Sequence, residues 1–144
     1  MPTTQLAVVA AEQNVFDGEV DMVLAPGALG QLGILPRHAP FLTLLVPGTL
    51  HIRQGDSERL LAITGGFLEA DQTHITALVN SAEWADDIDI QRAEDAAERA
   101  RQRLRERDAG TDLVRAEAAL RRSMARLKTT ERARGLGQRD LSRA

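Results

Sequence analysis

The stretch Asp86-Asp87-Ile88-Asp89-Ile90-Gln91-Arg92-Ala93 marks the point at which the character of this chain changes. All five prolines and eight of the eleven glycines lie before it, and residues 1–85 hold three basic against nine acidic side chains. The residues after 85 hold fifteen basic against twelve acidic side chains and no proline. A segment rich in turn residues followed by an arginine-rich segment without proline indicates two structural units that meet near residue 85.

The first unit, residues 1–85, carries the pattern of antiparallel strands. Turn pairs that contain glycine recur along it, from Asp17-Gly18 to Gly65-Gly66. Between them, apolar residues alternate with a period of two, which is typical of half-buried strands: Leu6, Val8 and Ala10; Val20, Met22 and Leu24; Leu50 and Ile52; Ile75, Ala77 and Val79. We therefore predict an α+β chain that begins with an antiparallel β-sandwich or flattened barrel.

The second unit, residues 86–132, carries the pattern of an antiparallel two-helix hairpin. Asp89 is a candidate N-cap for a helix over 90–107, Gly110 is a stop signal, and a second helix is predicted over about 112–132. Each helix has one apolar stripe: Ile90, Ala93, Ala96, Ala97, Ala100 and Leu104; Leu113, Ala116, Leu120, Met124 and Leu127. The alanine-rich contact buries little area, so we expect a separable element. Residues 133–144 lack periodicity and are predicted to be a disordered tail.

Composition excludes several classes of function. The 144 residues include no cysteine, which excludes disulfides and thiol catalysis. A formal net charge of -3 and an aromatic content of 3% disfavour nucleic-acid binding by charge or by stacking. No apolar run approaches the roughly 20 residues that span a bilayer, and no signal peptide is visible. We expect a soluble intracellular protein that meets a membrane only through a partner.

The run Gly30–Pro40, with the sequence GQLGILPRHAP, combines two glycines and two prolines with a block of aliphatic side chains. Because these residues restrict or relax the backbone, we predict a loop of defined shape, neither helix nor strand, that serves as a docking surface. His38 within it is more typical of an interface than of catalysis. The histidines at 38, 51 and 74 have no metal-ligand spacing, and no catalytic constellation is present, so the chain does not look like an enzyme.

Four arginines of the hairpin are candidates for a phosphate site. Arg92 and Arg99 are seven residues apart and share one helix face, and Arg122 and Arg126 are four apart and share another. Converging faces would surround one volume with guanidinium groups that suit a polyphosphate, with carboxylates nearby for a ribose or an adenine. The alternative is a pair of solvated faces with ion pairs at four-residue steps.

These motifs together resemble the epsilon subunit of the bacterial F-type ATP synthase. The resemblance rests on Gly30–Pro40, on Pro47-Gly48, on Thr64-Gly65-Gly66-Phe67-Leu68-Glu69 and on Ile88-Asp89-Ile90-Gln91-Arg92-Ala93, and it covers about residues 4 to 130. It implies a sandwich of about ten strands followed by a helical hairpin. It also implies a central-stalk rotor subunit that is not catalytic, that couples ion flow to ATP synthesis and that inhibits ATP hydrolysis when its hairpin is extended.

The resemblance implies partners and a place in the cell. The sandwich is expected to contact the gamma subunit and the c-ring, and the extended hairpin the alpha and beta subunits. The expected location is the cytoplasmic side of the bacterial inner membrane, as a peripheral protein without nucleic-acid partners. The implied interface residues lie in the docking loop: Gln31, Leu32, Gly33, Ile34, Leu35, Pro36, Arg37 and His38. Two of them, Gln31 and Arg37, depart from the glutamate and glycine usual in the family.

The resemblance further implies that the folded hairpin binds ATP as a regulatory ligand, with no cofactor or metal required. Eight positions match the reported site: Glu83, Ile88, Asp89, Arg92, Ala93, Arg99, Arg122 and Arg126. A rival interpretation from another class treats the arginine-rich hairpin as a nucleic-acid-binding module. Interspersed acidic residues and scarce aromatic residues argue against that rival.

Overall fold

The computed structural model describes residues 2–11, 13–106 and 112–143, the last seven of them by their backbone alone. Eight strands are followed by two α-helices, α1 (Ile90–Glu106) and α2 (Leu113–Arg143), after a short 3-10 turn over Ala85–Asp87. The strands are β1 (Thr4–Ala10), β2 (Gln13–Val20), β3 (Met22–Gly27), β4 (Gly30–Ile34), β5 (Phe41–Gln54), β6 (Ser57–Ala70), β7 (His74–Val79) and β8 (Ala82–Trp84). The predicted β-sandwich followed by a helical hairpin is confirmed.

The strands pair in the order β2-β1-β7-β6-β5-β3-β4, with β8 paired to β6. The sheet is open, and its described part has eight strands, not the ten that the resemblance implies. The number is lower because β5 and β6, of 14 residues each, pair with each other almost from end to end. Each of them is therefore one long strand. The pair β1–β7 is parallel, against the expectation of purely antiparallel pairing. Residue alternation does not specify which strand becomes a neighbour.

Gly65 and Gly66 lie where β6 changes its second neighbour. Residues 61–63 pair with β8, whereas residues 66–70 pair with β7. The two glycines have φ angles of 109° and 146°, and they lie within β6 instead of forming a turn between two strands. A Cβ on Gly66 would overlap the backbone of Leu78 and lie 2.7 Å from the Cα of Val79. The sheet therefore folds over itself at a point where only glycine fits.

The sandwich encloses one core of aliphatic side chains. Leu6, Val8, Leu50, Ile52 and Ala77 are all fully buried there, as their alternation predicts.

The predicted phase is wrong in β3. Val23 and Ala25 are fully buried, whereas the predicted Met22 and Leu24 are only half-buried. The chain bends at Asp21, whose N–H donates to the carbonyl of Arg53 at 2.8 Å, so the alternation restarts there instead of continuing from β2.

The expectation of a loop throughout 30–40 is wrong in its first half. Residues 30–34 form β4, which pairs with β3 from Val23↔Ile34 to Gly27↔Gly30. Glycine at positions 30 and 33 lowers strand propensity, but pairing with a neighbouring strand overrides that local preference. The rest of the run does form a turn, in which Arg37 has a φ of 66°.

The hairpin begins where the sequence predicts. The Asp89 carboxylate accepts from the N–H of Arg92 at 3.0 Å and caps α1, and Asp112 caps α2 through the N–H of Arg115 at 3.1 Å. Ala93, Ala97 and Ala100 are buried on α1. Along the predicted α2 stripe, Ala116 is buried, Leu113 is exposed and the other members are half-buried. The predicted end of α1 at Arg107 and the stop at Gly110 lie outside the described residues.

Helix α2 continues to Arg143, so the predicted helix end near Arg132 is wrong. The backbone of residues 133–143 is helical instead of forming the expected disordered tail, whose last residue, Ala144, lies outside the described part. No proline interrupts this segment, and Gly135 costs a helix only about 1 kcal/mol relative to alanine. A lack of apolar periodicity is therefore compatible with a helical backbone.

Candidate functional site

A cavity of about 500 Å³ lies between the end of the sandwich and the two helices. Its walls come from three parts of the chain: β8 and the 3-10 turn, the first turns of α1, and α2. Six of the eight residues predicted as an ATP site line it: Glu83, Asp89, Arg92, Ala93, Arg99 and Arg126. The tertiary structure therefore brings together residues that are up to 43 positions apart.

Two of the eight predicted residues do not line this cavity. Ile88 is only 8% exposed and packs as part of the interior. Arg122 is exposed and lies one helical turn before Arg126, outside the lining. Three guanidinium groups therefore surround the volume, where the sequence predicts four.

The first turn of α1 positions two members of the site. Asp89 accepts from the N–H of Arg92 through its side chain and from the N–H of Ala93 through its carbonyl, both at 3.0 Å. This cap holds the start of the helix, and with it Arg92, at the mouth of the cavity. Arg99 follows two turns later on the same helix face. Asp89 thus serves the fold as an N-cap and faces the cavity as well.

An ion pair joins the sandwich to the hairpin at this cavity. The Nε of Arg126 lies 3.3 Å from Oε1 of Glu83, with the two side chains 33% and 40% exposed. A pair this accessible contributes little stability by itself, but it fixes the direction of the Arg126 side chain. The pair links α2 to β8, so the cavity exists only while the hairpin lies on the sandwich.

The cavity is lined by equal numbers of positive and negative side chains, which suits a ligand with both phosphate groups and hydroxyl or amino groups. Three arginines and three carboxylates, those of Glu83, Asp87 and Asp89, line it. Guanidinium groups bind phosphate through paired hydrogen bonds, whereas carboxylates accept from hydroxyl and amino groups. Within the described ranges, no cluster of His, Asp and Glu has the geometry of a metal site. The arrangement can bind a nucleotide-like ligand.

The predicted docking loop is mostly accessible. Seven of its eight candidate residues are exposed or half-buried, but Ile34 is 1% exposed and belongs to the core. Leu35 is 55% exposed, and the ring of His38 packs edge-on against Phe41 at 4.7 Å between centroids. Nδ1 of His38 lies 2.8 Å from the carbonyl of Ala39, which ties the ring to its own turn. These contacts fix the position of the His38 ring within its own turn.

An exposed apolar face, which sequence reasoning missed, lies on three neighbouring strands. It comprises Leu42, Leu44 and Val46 of β5, Phe67 of β6 and Leu78 of β7, all between 40% and 68% exposed. Leu44 pairs with Phe67, and Phe67 pairs with Leu78, so the three form a row across the sheet. The sequence does carry a signal for this face in the run 41–46. The run is apolar at five of six positions and is therefore apolar on both faces of its strand.

The contact between α2 and the sheet was also missed. The hydroxyls of Thr49 and Thr129 lie 2.7 Å apart, and both residues are buried. Thr129 donates its proton to the carbonyl of Ala125 at 2.8 Å, so Thr49 is the donor in the pair. Threonine in a strand or helix carries no sequence signal for such a pair.

None of the helices in the described residues is both long enough and apolar enough to cross a membrane.

Comparisons with known proteins agree over nearly the whole chain. The family model of the ATP synthase delta/epsilon chain β-sandwich domain matches residues 3–85, and that of the long alpha-helix domain matches residues 86–131. The ATP synthase epsilon chain of Desulforamulus reducens is 46% identical over 129 residues, which are 90% of this chain and 98% of that protein. The ATP synthase epsilon chain of Herpetosiphon aurantiacus is 48% identical over 127 residues, which are 88% of this chain and 93% of that protein.

A solved structure supports the fold alone. A chain in the mitochondrial ATP synthase OSCP/F1/c-ring structure of Euglena gracilis superimposes with a TM-score of 0.76 at 21% identity, covering 83% of this chain and 76% of that chain.

Proposed function

The chain belongs to the family of ATP synthase delta/epsilon chains, and from this premise we propose that it is a central-stalk rotor subunit of an F-type ATP synthase. In this role it couples ion flow through the c-ring to ATP synthesis in the catalytic head. Its partners are the gamma subunit and the c-ring, and it lies at the cytoplasmic side of the bacterial inner membrane through them. It performs no chemistry itself and needs no cofactor.

The exposed apolar face is the observation that carries the stalk role. Contiguous apolar surface is unfavourable in water, and side chains such as Phe67 and Leu44 gain from burial against a partner. Leu35 adds a further exposed apolar side chain from the docking loop. A partner that covers this face needs no charge complementarity, which suits a permanent rotor contact with gamma.

Size-exclusion chromatography of the chain mixed with the gamma subunit tests this role. We expect one complex at micromolar concentrations. Two separate species under these conditions would contradict the proposal.

We further propose that the hairpin is regulatory and that ATP binds it as a sensed ligand. The cavity takes walls from both the sandwich and the hairpin, so a ligand that fills it favours the folded hairpin over an extended one. The folded hairpin permits ATP hydrolysis, whereas the extended hairpin contacts the alpha and beta subunits and inhibits hydrolysis. ATP hydrolysis by the assembled complex, with the full chain and with a chain that ends after Ala85, measures this inhibition.

Calorimetry with ATP tests the binding site. Arg99→Ala and Arg126→Ala each remove a guanidinium group from the cavity and are expected to weaken binding at least tenfold. Arg121→Ala is the matched control, because this arginine lines a different groove, beside Pro47 and Gly48. Undetectable binding at millimolar ATP, or equal affinity in all variants, would contradict the site. The result for Arg122→Ala shows whether that residue joins the site despite lying outside the lining.

A further inference from the structure

A partly buried histidine lies on the surface that the hairpin covers. His51 follows Thr49 by two residues on β5, so both side chains leave the same strand face. Arg132 follows Thr129 by three residues on α2, so both lie on the same helix face. Because Thr49 and Thr129 are hydrogen-bonded, this geometry sets His51 under the next turn of α2. The side chain of His51 is only 15% exposed.

The imidazole of His51 is poorly satisfied in this position. Its Nε2 is inaccessible to solvent and makes no hydrogen bond to any residue that the structure describes. The nearest carboxylate oxygen, Oε1 of Glu58, lies 3.5 Å away, too far for a good hydrogen bond. A buried nitrogen in this state is costly, and the cost disappears if the hairpin leaves and water enters.

Charged side chains on three of the elements around His51 act on its imidazole. Glu58 on β6 favours a protonated ring, whereas Arg53 on β5 and Arg132 on α2 oppose it, and β3 contributes the uncharged Leu24 at the paired position. Burial, the largest influence, and the two arginines outweigh Glu58 and hold the pKa of His51 below its usual value. Release of α2 removes Arg132 and the part of the burial that the helix contributes, so the pKa rises towards about 6.5.

We propose that His51 makes the docking of the hairpin on the sandwich dependent on pH, because proton uptake by its partly buried imidazole favours release of α2. This inference rests on the proposed mobility of the hairpin and adds a proton as a second regulatory ligand beside ATP. The proton binds at the strand face under α2, outside the arginine-lined cavity, so the two ligands act on one equilibrium from different sites.

The sign of the effect follows from the two protonation states. The released form has the higher pKa, so it binds the proton more tightly. Docking is therefore independent of pH above about 7. It weakens by up to tenfold per pH unit below about 6.5, until the lower pKa of the docked form is reached.

The single tryptophan reports docking in the full chain. Trp84 lines a small cavity together with Ala133 and Leu136 of α2, so release of the helix changes the surroundings of its ring. We expect the emission of the wild-type chain to change as pH falls from 7.5 to 5.5. The change should disappear in His51→Gln and persist in the control His74→Gln, whose side chain is 66% exposed in the native chain.

A locked hairpin provides the second control. The chain has no cysteine, and the Thr49 and Thr129 hydroxyls are in contact, so Thr49→Cys combined with Thr129→Cys is expected to form a disulfide that holds α2 down. The locked chain should show no pH-dependent emission. In NMR titrations of the locked chain, the pKa of His51 should lie below its ordinary value of about 6.5, which needs no substitution of the histidine.

Three outcomes would overturn the inference. The first is an unchanged pH profile in His51→Gln, and the second is a pKa of His51 in the locked chain that is not below its ordinary value. The third is equal cleavage of α2 by trypsin in locked and unlocked chains at every pH, which shows that the hairpin stays docked. That result also removes the regulatory part of the proposed function. A hairpin that is released equally at all pH values contradicts only the inference about His51.

Discussion

Arg37 shows how a single residue departs from the local rules of its turn. Its φ of 66° lies in the left-handed region, where a side chain costs roughly 1–2 kcal/mol and glycine costs little. The sequence already marks this position as one where the family usually has glycine. The structure supplies the reason for that preference, because the backbone keeps the left-handed conformation even with arginine present.

We expect Arg37→Gly to stabilise the chain by up to about 1 kcal/mol, since relief of strain exceeds the entropy that glycine adds to the unfolded state. Urea denaturation measures the change. Arg37→Ala is the control, because alanine keeps the strained φ and should leave stability nearly unchanged. A gain from alanine equal to that from glycine would point to the charge instead of the backbone.

Thr129 and Thr49 form the polar contact at the centre of the hairpin interface. Thr129→Val leaves the Thr49 hydroxyl buried without an acceptor and is expected to weaken docking by about 1–3 kcal/mol. The double variant with Thr49→Val replaces both partners by apolar groups of the same shape and should recover much of that loss. Protection of α2 from trypsin measures docking. Additive losses in the double variant would contradict a direct hydrogen bond.

At the scale of elements, β6 depends on a glycine at its bend. Gly66→Ala combines a positive φ with a Cβ that overlaps the backbone of β7, so we expect a loss of more than about 2 kcal/mol of unfolding free energy. Gly55→Ala is the matched control: it also has a positive φ, 59°, but nothing lies within 4 Å of its Cβ position. Thermal denaturation of the two variants separates steric overlap from backbone strain. Equal losses would mean that β7 moves aside.

The helices illustrate which element boundaries a sequence can predict. Both starts are carried by local chemistry, an aspartate whose carboxylate accepts from the N–H three residues later, and both were predicted correctly. The end of α2 has no comparable signal in the sequence, and the prediction there was wrong by about eleven residues. The predicted buried face of α2 was also incomplete. It lacked Ser123, Thr129 and Thr130, which are buried although they are polar.

At the scale of the whole molecule, the exposed apolar face sets the behaviour of the chain in an assembly. Phe67→Glu places a charge at the centre of the face, on a side chain that is already 51% exposed, so the fold should tolerate it. We expect at least a hundredfold loss of affinity for the gamma subunit, because a buried unpaired carboxylate is costly. Val114→Glu is the matched control, since Val114 is 77% exposed on α2 and is not one of the five residues of the face. Surface plasmon resonance compares the two, and equal affinities would place gamma elsewhere.

The sequence by itself determined the two-part architecture, most of the aliphatic core, the helix starts and the identity of the family. Each of these depends on composition, on a period of two or four residues, or on an ordered set of motifs, and all of these are local properties of the chain. Helical spacing also predicted the three arginines of the cavity, and the resemblance implied all six of its predicted residues, but nothing local in the sequence relates Glu83 to Arg126.

Only the tertiary structure decided which side chains meet. In the folded chain, β1 pairs with β7 in parallel and Ile34 packs in the core. Arg122 lies outside the cavity, and one apolar face of the sheet remains exposed. The tertiary structure also placed the partly buried His51 beside a helix that begins more than sixty residues later. These outcomes follow from the bend at Gly65-Gly66 and from the docking of α2, which bring distant segments together. A sequence pattern describes which faces of an element are apolar, but the partner of each face is a property of the folded chain.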